Sequence, residues 1–378
     1  MRRYHAILLA LHVLVMTVPV LGLALALGAP DAQLFGTEAP APRPAFALAR
    51  WADESLQGDL KKWFESHLGF RGVLVRTDNS LLYAPLGETK PGANVRRGED
   101  GILFIDEDIG YATWRAQDRP TAEVWRALAV QLGRAQRELA RRGKQMIVVL
   151  VPSKGSLYPE AFGARWSRRQ PLAEPTDAFV ERTLREAFAA EGVRYGDAIE
   201  TLRAFPGPRE AVYPKAARHW SRVGACLALQ DAARPVFDVP SCAFTPRPGN
   251  MDGDAEVDLY RLLNTWHLTE PIPEVLDPIS PPAAVAAAPR TLFVGSSFTW
   301  MLADVARPFV REPHFFYYNS SVYDVSTLTP RLIGPVDPAS PDWPHYALEK
   351  DLYILEILEG YAHGDMFPQF LATLLARL

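Results

Sequence analysis

A Gly-Ser-Ser turn is the stretch whose residue types and order are best suited to chemistry. The apolar run 292–294 ends at Gly295, and two serines and a helix-compatible segment, 300–306, follow. A turn from strand to helix holds a hydroxyl at the carboxyl end of a sheet, where helix N-terminal amides can stabilise an oxyanion. Ser297 is therefore a candidate nucleophile, and Ser296 is interpreted as turn-forming. The same pattern is typical of an ordinary serine-capped junction, and a serine nucleophile needs a base.

The elements around this turn alternate between helices and apolar strands. Gln145–Val151 is an apolar run of the kind found in central parallel strands, and it follows a long amphipathic helix over 122–142. Further helices are predicted over 178–191, 221–236, 255–263 and 367–378, and further strands over 193–195, 291–294, 314–318 and 351–358. This order predicts an α/β fold with an open, mostly parallel sheet and helices on both faces.

The composition describes a globular chain with a substantial core. Of the 378 residues, 48% are hydrophobic and 22% are charged, and the formal net charge is −4. That charge gives no sign of nucleic-acid binding. The sequence has no glycine-rich phosphate loop and no cysteine and histidine cluster with metal spacing, so no metal or cofactor is expected.

The first residues differ from the rest. Arg2 and Arg3 precede an apolar run over 6–27, which is longer than the roughly 7–15 residues of a signal-peptide core. We expect a signal anchor or signal peptide over 1–29, since small residues near 24–29 leave cleavage open. An Ala- and Pro-rich stalk over 30–58 follows. The flanking charge predicts a single-pass protein of the bacterial inner membrane, with its bulk in the periplasm.

The chain has two cysteines, Cys226 and Cys242. In an oxidising compartment they could form a disulfide, and two buried thiols are the alternative interpretation.

Seven short blocks resemble, in the same order, those of the AlgX/AlgJ alginate O-acetyltransferase family. The blocks are Trp63-Phe64 through His67-Leu-Gly-Phe-Arg71, Gly98-Glu-Asp-Gly-Ile-Leu-Phe104, Val151-Pro-Ser-Lys-Gly-Ser-Leu-Tyr-Pro159, His219-Trp-Ser221 with Gly224-Ala225, Gly253-Asp-Ala255, Gly295-Ser-Ser-Phe298 and Glu356-Ile-Leu-Glu359. Ile102 stands where the family pattern has Trp, and Gly360 where it has Arg. The resemblance covers nearly everything from about residue 60 onward.

This resemblance implies an SGNH-hydrolase-like acetyltransferase domain over 59–378, preceded by the membrane helix. Members transfer acetyl groups to exopolysaccharide hydroxyls, usually together with a membrane-bound acyltransferase. By position, Ser297 would be the nucleophile and His219 the general base, a role that suits the ordinary pKa of histidine. We therefore expect an envelope-anchored O-acetyltransferase or acetylesterase that forms a covalent acetyl-enzyme on Ser297.

One departure from the family pattern concerns the group that orients the base. The family has Asp two residues before the histidine, whereas this chain has Ala217. Loss of that carboxylate can cost about 10⁴ in rate. Three outcomes stay open: replacement by a backbone carbonyl or a distant carboxylate, a slow Ser–His dyad, or a non-catalytic carbohydrate-binding or scaffold component of an export complex. The distant carboxylates considered are Glu210, Glu356 and Glu359.

Other residues at the same sheet edge are candidates for contacts with the oxyanion or the substrate. Asn319 and the Ser297 amide are natural oxyanion donors, and Asn319 also suits an ordinary turn. Lys154 and Tyr158 follow a strand and could bind an anionic sugar, or they could be solvated or packing residues. Glu356 completes this set, and three aromatic residues are candidates for stacking on sugar rings. These are Trp300, Tyr323 and Tyr361.

Overall fold

A computed structural model describes most of the chain, in two compact units. The described residues are 2–24, 34–36, 40–90, 94–113, 119–163, 179–234, 236, 239, 242, 244–251, 254–268, 274–278, 288–359 and 364–378. The first unit comprises Met1–Val95 and Tyr260–Pro271, and the second comprises Arg96–Leu259 and Ile272–Leu378.

Helices make up most of the first unit's described residues. They are α1 (Arg2–Ala24), α2 (Leu48–Ala52), α3 (Ser55–His67) and α4 (Arg71–Leu86). Within α1, Tyr4–Gly22 has a mean hydropathy of 2.0 and is long and apolar enough to cross a membrane. Residues predicted as stalk include α2, and residues 59–95, predicted to open the acetyltransferase domain, belong to this unit.

A seven-stranded sheet with the spatial order β10-β9-β8-β7-β11-β3-β4 organises the second unit. Its strands are β3 (Gln145–Val151), β4 (Tyr195–Asp197), β7 (Arg290–Gly295), β8 (Arg311–Tyr317), β9 (Ser321–Asp324), β10 (Arg331–Pro335) and β11 (Leu352–Leu358). The five strands from β8 to β4 are parallel, and β9 and β10 are antiparallel. The predicted open, mostly parallel sheet is confirmed.

Helices of the second unit cover both faces of this sheet. They are α5 (Asp106–Thr113), α6 (Ala122–Arg141), α7 (Lys154–Leu157), α8 (Glu186–Ala190), α9 (Ala198–Arg203), α10 (Arg209–Val212), α11 (Arg222–Ala233), α13 (Thr299–Ala306) and α14 (Met366–Arg377). A further short helix, α12 (Asp258–Leu262), begins in the second unit and ends in the first. Successive strand residues point to opposite faces. Val149 therefore packs in the core with α11 and α13, and Val148 packs in the core with α6 and α14.

Several predicted elements have different bounds in the structure. The short strand predicted over 193–195 lies at Tyr195–Asp197, and the helix predicted over 178–191 contains a π-helical turn, Glu181–Arg185. Two segments for which no strand was predicted, β5 (Phe244–Pro248) and β6 (Glu274–Pro278), form an antiparallel pair. Two strands near the amino end of the second unit, β1 (Val95–Arg97) and β2 (Leu103–Ile105), form a third small sheet. Cys226 of α11 and Cys242 form a disulfide.

Candidate active site

The carboxyl edge of the parallel strands carries the candidate residues. Ser297 follows β7, Asn319 follows β8, and Lys154 follows β3. Because parallel strands all end at the same edge of a sheet, these three residues lie at one edge. His219 lies in the loop between α10 and α11. This edge therefore brings together chain segments that lie far apart in the sequence.

The structure places Ser297 and His219 within hydrogen-bond distance. Ser297 Oγ lies 2.7 Å from His219 Nε2. The other ring nitrogen, Nδ1, lies 3.0 Å from Asp258 Oδ2. Asp258 Oδ1 accepts a hydrogen bond from the Arg218 backbone N–H at 2.8 Å. A serine, a histidine and a carboxylate thus form one continuous chain of hydrogen bonds.

This series of hydrogen bonds fixes the orientation and tautomer of the His219 imidazole. Because the Asp258 carboxylate accepts from Nδ1–H, Nε2 presents its lone pair to the Ser297 hydroxyl. The His219 side chain is 16% exposed and that of Asp258 is 17% exposed, so both are largely shielded from water. The Phe298 ring lies edge-on to the His219 ring, with centroids 4.8 Å apart. The geometry is suited to removing a proton from Ser297 Oγ as it attacks a carbonyl carbon.

Asp258 is the carboxylate that sequence reasoning missed. It begins α12, directly after a 3-10 turn over Ala255–Val257. The Leu259 N–H donates to the Ala216 carbonyl at 2.9 Å, which ties this helix start to the loop of His219. The pair is 39 residues apart in sequence. The sequence held only an indirect indication of Asp258, which is that the family-like block over residues 253–255 lies just before it.

None of the carboxylates predicted to replace the missing Asp takes that place. Glu210 pairs with Lys215 at 3.1 Å. Glu359 Oε1 accepts from the Ser153 N–H at 2.8 Å, and Glu356 binds the nucleophile turn. The carboxylate that lies beside His219 Nδ1 in the structure is Asp258.

Glu356 stabilises the turn that carries Ser297. Its Oε2 accepts hydrogen bonds from the Ser296 N–H at 2.7 Å, the Ser296 hydroxyl at 2.8 Å and the Thr299 hydroxyl at 3.0 Å. A Cβ at position 295 would lie 2.7 Å from the same Oε2, so this close approach requires Gly295. Burial raises the pKa of Glu356, against the hydrogen bonds from Ser296 and Thr299. The expectation that Glu356 contacts substrate is corrected: its side chain is fully buried.

Lys154 and Tyr158 stabilise the loop of His219 from inside the protein. Lys154 Nζ donates to the carbonyls of Lys215 and Ala217, both at 2.7 Å. Tyr158 Oη donates to the Tyr213 carbonyl at 2.6 Å. Lys154 is fully buried and Tyr158 is 3% exposed, so the prediction that they bind an anionic sugar is wrong. Buried carbonyls need donors, and these two side chains supply them.

Burial also changes the protonation of the groups beneath that loop. It lowers the pKa of Lys154 to about 7, and the negative charges of Asp108 and Asp258 oppose this effect. It raises the pKa of Asp108 to about 6. Asp108 Oδ2 is buried and has no hydrogen-bond partner among the described residues. Burial of the Lys154 and Asp108 side chains therefore costs free energy, and the surrounding fold keeps both groups in the interior.

The remaining candidates lie at or near the same edge. Asn319 is half-buried and has a φ of +50°, and the preceding Tyr318 N–H donates to the Gly295 carbonyl at 2.9 Å. Trp300 packs edge-on against Tyr323, with ring centroids 4.9 Å apart. Tyr361 lies outside the described residues. Within the described part of the chain, no group of three or more His, Cys, Asp or Glu side chains could hold a metal ion.

A mostly parallel α/β sheet with a Ser–His–Asp chain at its carboxyl edge defines a hydrolase-like protein arranged for serine chemistry. The model of the family described as "SGNH hydrolase-like domain, acetyltransferase AlgX" matches residues 95–303. The match covers more than half of the chain, and the chain belongs to this family.

Sequence comparison finds two relatives that are named as probable alginate O-acetylases. The chain is 32% identical over 216 residues to "Probable alginate O-acetylase AlgJ" of Pseudomonas aeruginosa, covering 54% of this chain and 51% of that protein. It is 25% identical over 203 residues to the protein of the same name from Azotobacter vinelandii, covering 52% and 47%. The chain thus spans about half the length of these relatives. Among solved structures, the O-acetyltransferase domain of Pseudomonas putida AlgJ matches with a TM-score of 0.43 and 19% identity, over 75% of this chain and 99% of that chain.

Proposed function

We propose that the protein is an envelope-anchored O-acetyltransferase or acetylesterase of an exopolysaccharide. Ser297 is the nucleophile, His219 the general base, and Asp258 the group that orients His219. The observation that carries this proposal is the pair of distances on His219, 2.7 Å to Ser297 Oγ and 3.0 Å to Asp258 Oδ2. These values match the geometry that a serine nucleophile and its base require.

The proposed reaction has two balanced steps. Ser297 Oγ attacks the acetyl carbonyl carbon of the donor while His219 Nε2 takes the hydroxyl proton. The bond from the acetyl group to the donor then breaks, and His219 returns the proton to the leaving oxygen or sulfur. In the second step a sugar hydroxyl or water attacks the acetyl-serine, His219 takes its proton, and Ser297 Oγ leaves and is reprotonated.

The proposed donors that stabilise the negative charge on the carbonyl oxygen are the Ser297 backbone N–H and the Asn319 side chain. The N–H of Tyr318, next to Asn319, is bonded to the Gly295 carbonyl at 2.9 Å, so the Asn319 loop is tied to the end of β7. Donors fixed before the reaction provide the largest single contribution to this kind of catalysis.

The proposed location and partners follow from the chain's first helix and its relatives. Tyr4–Gly22 is suited to a membrane anchor, and Arg2 and Arg3 before it favour a periplasmic site for the remainder. Two relatives are named as probable alginate O-acetylases, so an alginate-like exopolysaccharide is the proposed acceptor. A membrane-bound acyltransferase that supplies the acetyl group is the proposed partner.

The rival function is a non-catalytic carbohydrate-binding or scaffold component. Its support was the absence of an Asp at position 217. Asp258 now supplies a carboxylate to His219 Nδ1, so that observation no longer favours the rival.

Hydrolysis of p-nitrophenyl acetate by the full-length protein in detergent tests the nucleophile. We expect Ser297→Ala to reduce the rate to that of the buffer, because Ser297 Oγ is the hydroxyl within hydrogen-bond distance of His219 Nε2. Ser326→Ala, at an exposed serine, should retain the full rate. Equal activity of Ser297→Ala and wild type would overturn the assignment.

A further inference from the structure

A groove lies along α13, the helix that follows Ser297. Its lining includes Arg222, Trp300, Asp304, Arg307, Thr327 and Leu328. Its cavity volume is about 230 Å³. The Trp300 N–H donates to the Ser297 carbonyl at 3.4 Å, so the groove begins one helical turn from the nucleophile. At about 1.5 Å per residue, positions 300 to 307 extend it roughly 10 Å from there.

The polar wall of this α13 groove is built around one carboxylate. Asp304 Oδ2 accepts from Arg222 Nε at 2.8 Å, and Asp304 Oδ1 accepts from Arg307 Nη2. Arg222 is held further by Glu256, whose Oε1 lies 3.1 Å from Nη1. The side chains of Arg222, Arg307 and Asp304 are 23%, 25% and 12% exposed. The wall thus presents parts of two guanidinium groups as donors, together with a carboxylate that can accept.

Apolar lining of this groove comes from the loop between β9 and β10 and from α13. Leu328 of this loop is 74% exposed, and it lines the same groove as Trp300 of α13. Trp300 is itself fixed, since it packs edge-on against Phe315 with ring centroids 4.6 Å apart. A rigid aromatic residue and an apolar loop in the same groove as charged donors and an acceptor match the two chemistries of a sugar ring, which has apolar C–H faces and hydroxyl edges.

The size of the groove limits its occupant to one ring. Pockets for drug-sized ligands have roughly 300–1,000 Å³, and the α13 groove is smaller. Its length of roughly 10 Å leaves room for a single pyranose beside the position where another ring would meet Ser297.

We propose that the α13 groove is a subsite for one pyranose residue of the acceptor chain, adjacent to the residue that is acetylated. This inference rests on the proposed function. The bound ring packs against Trp300 and Leu328, and one of its oxygens accepts from the exposed part of the Arg307 guanidinium. Holding the acceptor there places a sugar hydroxyl, in preference to water, at the acetyl-serine carbon. That hydroxyl loses its proton to His219 as the new ester forms and Ser297 Oγ leaves.

The test compares acetyl transfer with hydrolysis when p-nitrophenyl acetate is the donor. The acceptors are a deacetylated alginate oligosaccharide and a neutral cello-oligosaccharide, which differ in their carboxylates. Thr327→Trp fills the groove from an exposed loop position, and Thr329→Trp adds the same bulk on that loop outside the groove lining. We expect Thr327→Trp to lower the ratio of transfer to hydrolysis about tenfold through a higher KM for the acceptor, and Thr329→Trp to leave the ratio unchanged.

The polar contact is tested separately with Arg307→Gln, which should raise the acceptor KM, as Thr327→Trp does. A larger effect on the alginate arm would identify a carboxylate as the acceptor of the Arg307 hydrogen bond, and equal effects would identify a hydroxyl. Wild-type transfer ratios in Thr327→Trp would overturn the subsite. So would Ser297-dependent hydrolysis by wild type that gives no transfer to either oligosaccharide, and this outcome would leave the proposed acetyl-enzyme intact. Hydrolysis that does not depend on Ser297 would instead refute the proposed function.

Discussion

At the scale of single residues, the main finding is that a carboxylate from another part of the chain orients His219. Ala217 occupies the position where the family pattern has Asp, and its side chain is fully buried. Asp258 reaches His219 Nδ1 from the start of α12 instead. No spacing rule links residues 219 and 258, because the contact depends on how two loops pack. A motif search that looks two residues before the histidine therefore misses it.

The exchange Asp258→Asn tests this role. An amide cannot carry the negative charge that stabilises the imidazolium, and it favours the wrong tautomer of His219. We expect kcat for p-nitrophenyl acetate to fall by about 10³–10⁴ with little change in KM. The measurement is steady-state hydrolysis at several pH values, with circular dichroism to show that the fold is kept.

A matched exchange is Ala217→Asp, which restores the family residue. Because His219 Nδ1 already has a partner and position 217 is fully buried, we expect no gain in activity and a lower melting temperature. A rise in kcat for Ala217→Asp, together with a wild-type rate for Asp258→Asn, would show that Asp258 does not orient the base.

At the scale of elements, two turns meet at the carboxyl edge of the sheet, and buried polar groups hold both. Glu356 of β11 binds the turn after β7, and Lys154 of α7 binds two carbonyls before His219. Neither residue contacts substrate in the proposed mechanism. Each has its charged group inside the protein, where it satisfies backbone or hydroxyl groups that would otherwise lack partners.

Replacement of Lys154 by Met tests whether this residue acts on the position of the His219 loop or only on the stability of the fold. The exchange removes both hydrogen bonds to the loop of His219, and a shift of about 1 Å in a catalytic group can cost about 100-fold in rate. We therefore expect kcat to fall by about 10- to 100-fold in the folded protein.

The control is Lys144→Met. Lys144 Nζ also donates to two carbonyls, those of Leu348 and Lys350 at 2.8 and 2.6 Å, but at the opposite edge of the sheet. We expect this variant to lose stability and to keep kcat. Equal losses of kcat in the two variants at a temperature where both are folded would show that Lys154 acts through general stability alone.

At the scale of the whole molecule, the parts of the fold that were predictable are those that are buried on both faces. The strands β3 and β11 read as continuous apolar runs, and α6 shows a clear helical period, because layers of core cover them. The strands β1, β5, β6, β9 and β10 were missed. They are short and carry prolines, polar or charged residues, so the local sequence resembles a loop.

The candidate site divides in the same way. The resemblance pointed to Ser297 and His219, and the structure brings them together. Burial decided the roles of Lys154, Tyr158 and Glu356, and the sequence could not supply it because a polar side chain has the same one-letter code whether it is buried or exposed. Whether a polar residue faces solvent or the interior is a property of the packed molecule.

Buried carboxylates predict a stability profile for the whole protein. Burial raises the pKa of Glu359 from 4.5 to about 6, so the folded state binds this proton more tightly than the unfolded state does. The contribution to stability is therefore greatest below pH 4.5 and is lost as the pH rises through 6. At about 1.4 kcal/mol per pH unit, the loss is about 2 kcal/mol.

The measurement is the free energy of unfolding in urea at pH 4.5 and pH 7 for wild type and Glu359→Gln. The Gln side chain keeps an oxygen for the Ser153 N–H and does not ionise. We expect wild type to lose about 2 kcal/mol relative to the variant between the two pH values. Glu186→Gln, at an exposed position of α8, is the control and should give a constant difference. A constant difference for Glu359→Gln as well would refute the prediction.

The most direct test of the central claim is to locate the acetyl group during turnover. Full-length protein is mixed with p-nitrophenyl acetate, quenched in acid within the first turnovers, digested, and analysed by mass spectrometry. We expect one acetyl group on the wild-type peptide that contains Ser297. This acetyl group should be absent in Ser297→Ala and should form far more slowly in Asp258→Asn. Turnover with an unmodified Ser297 and an acetyl group on another residue would contradict it.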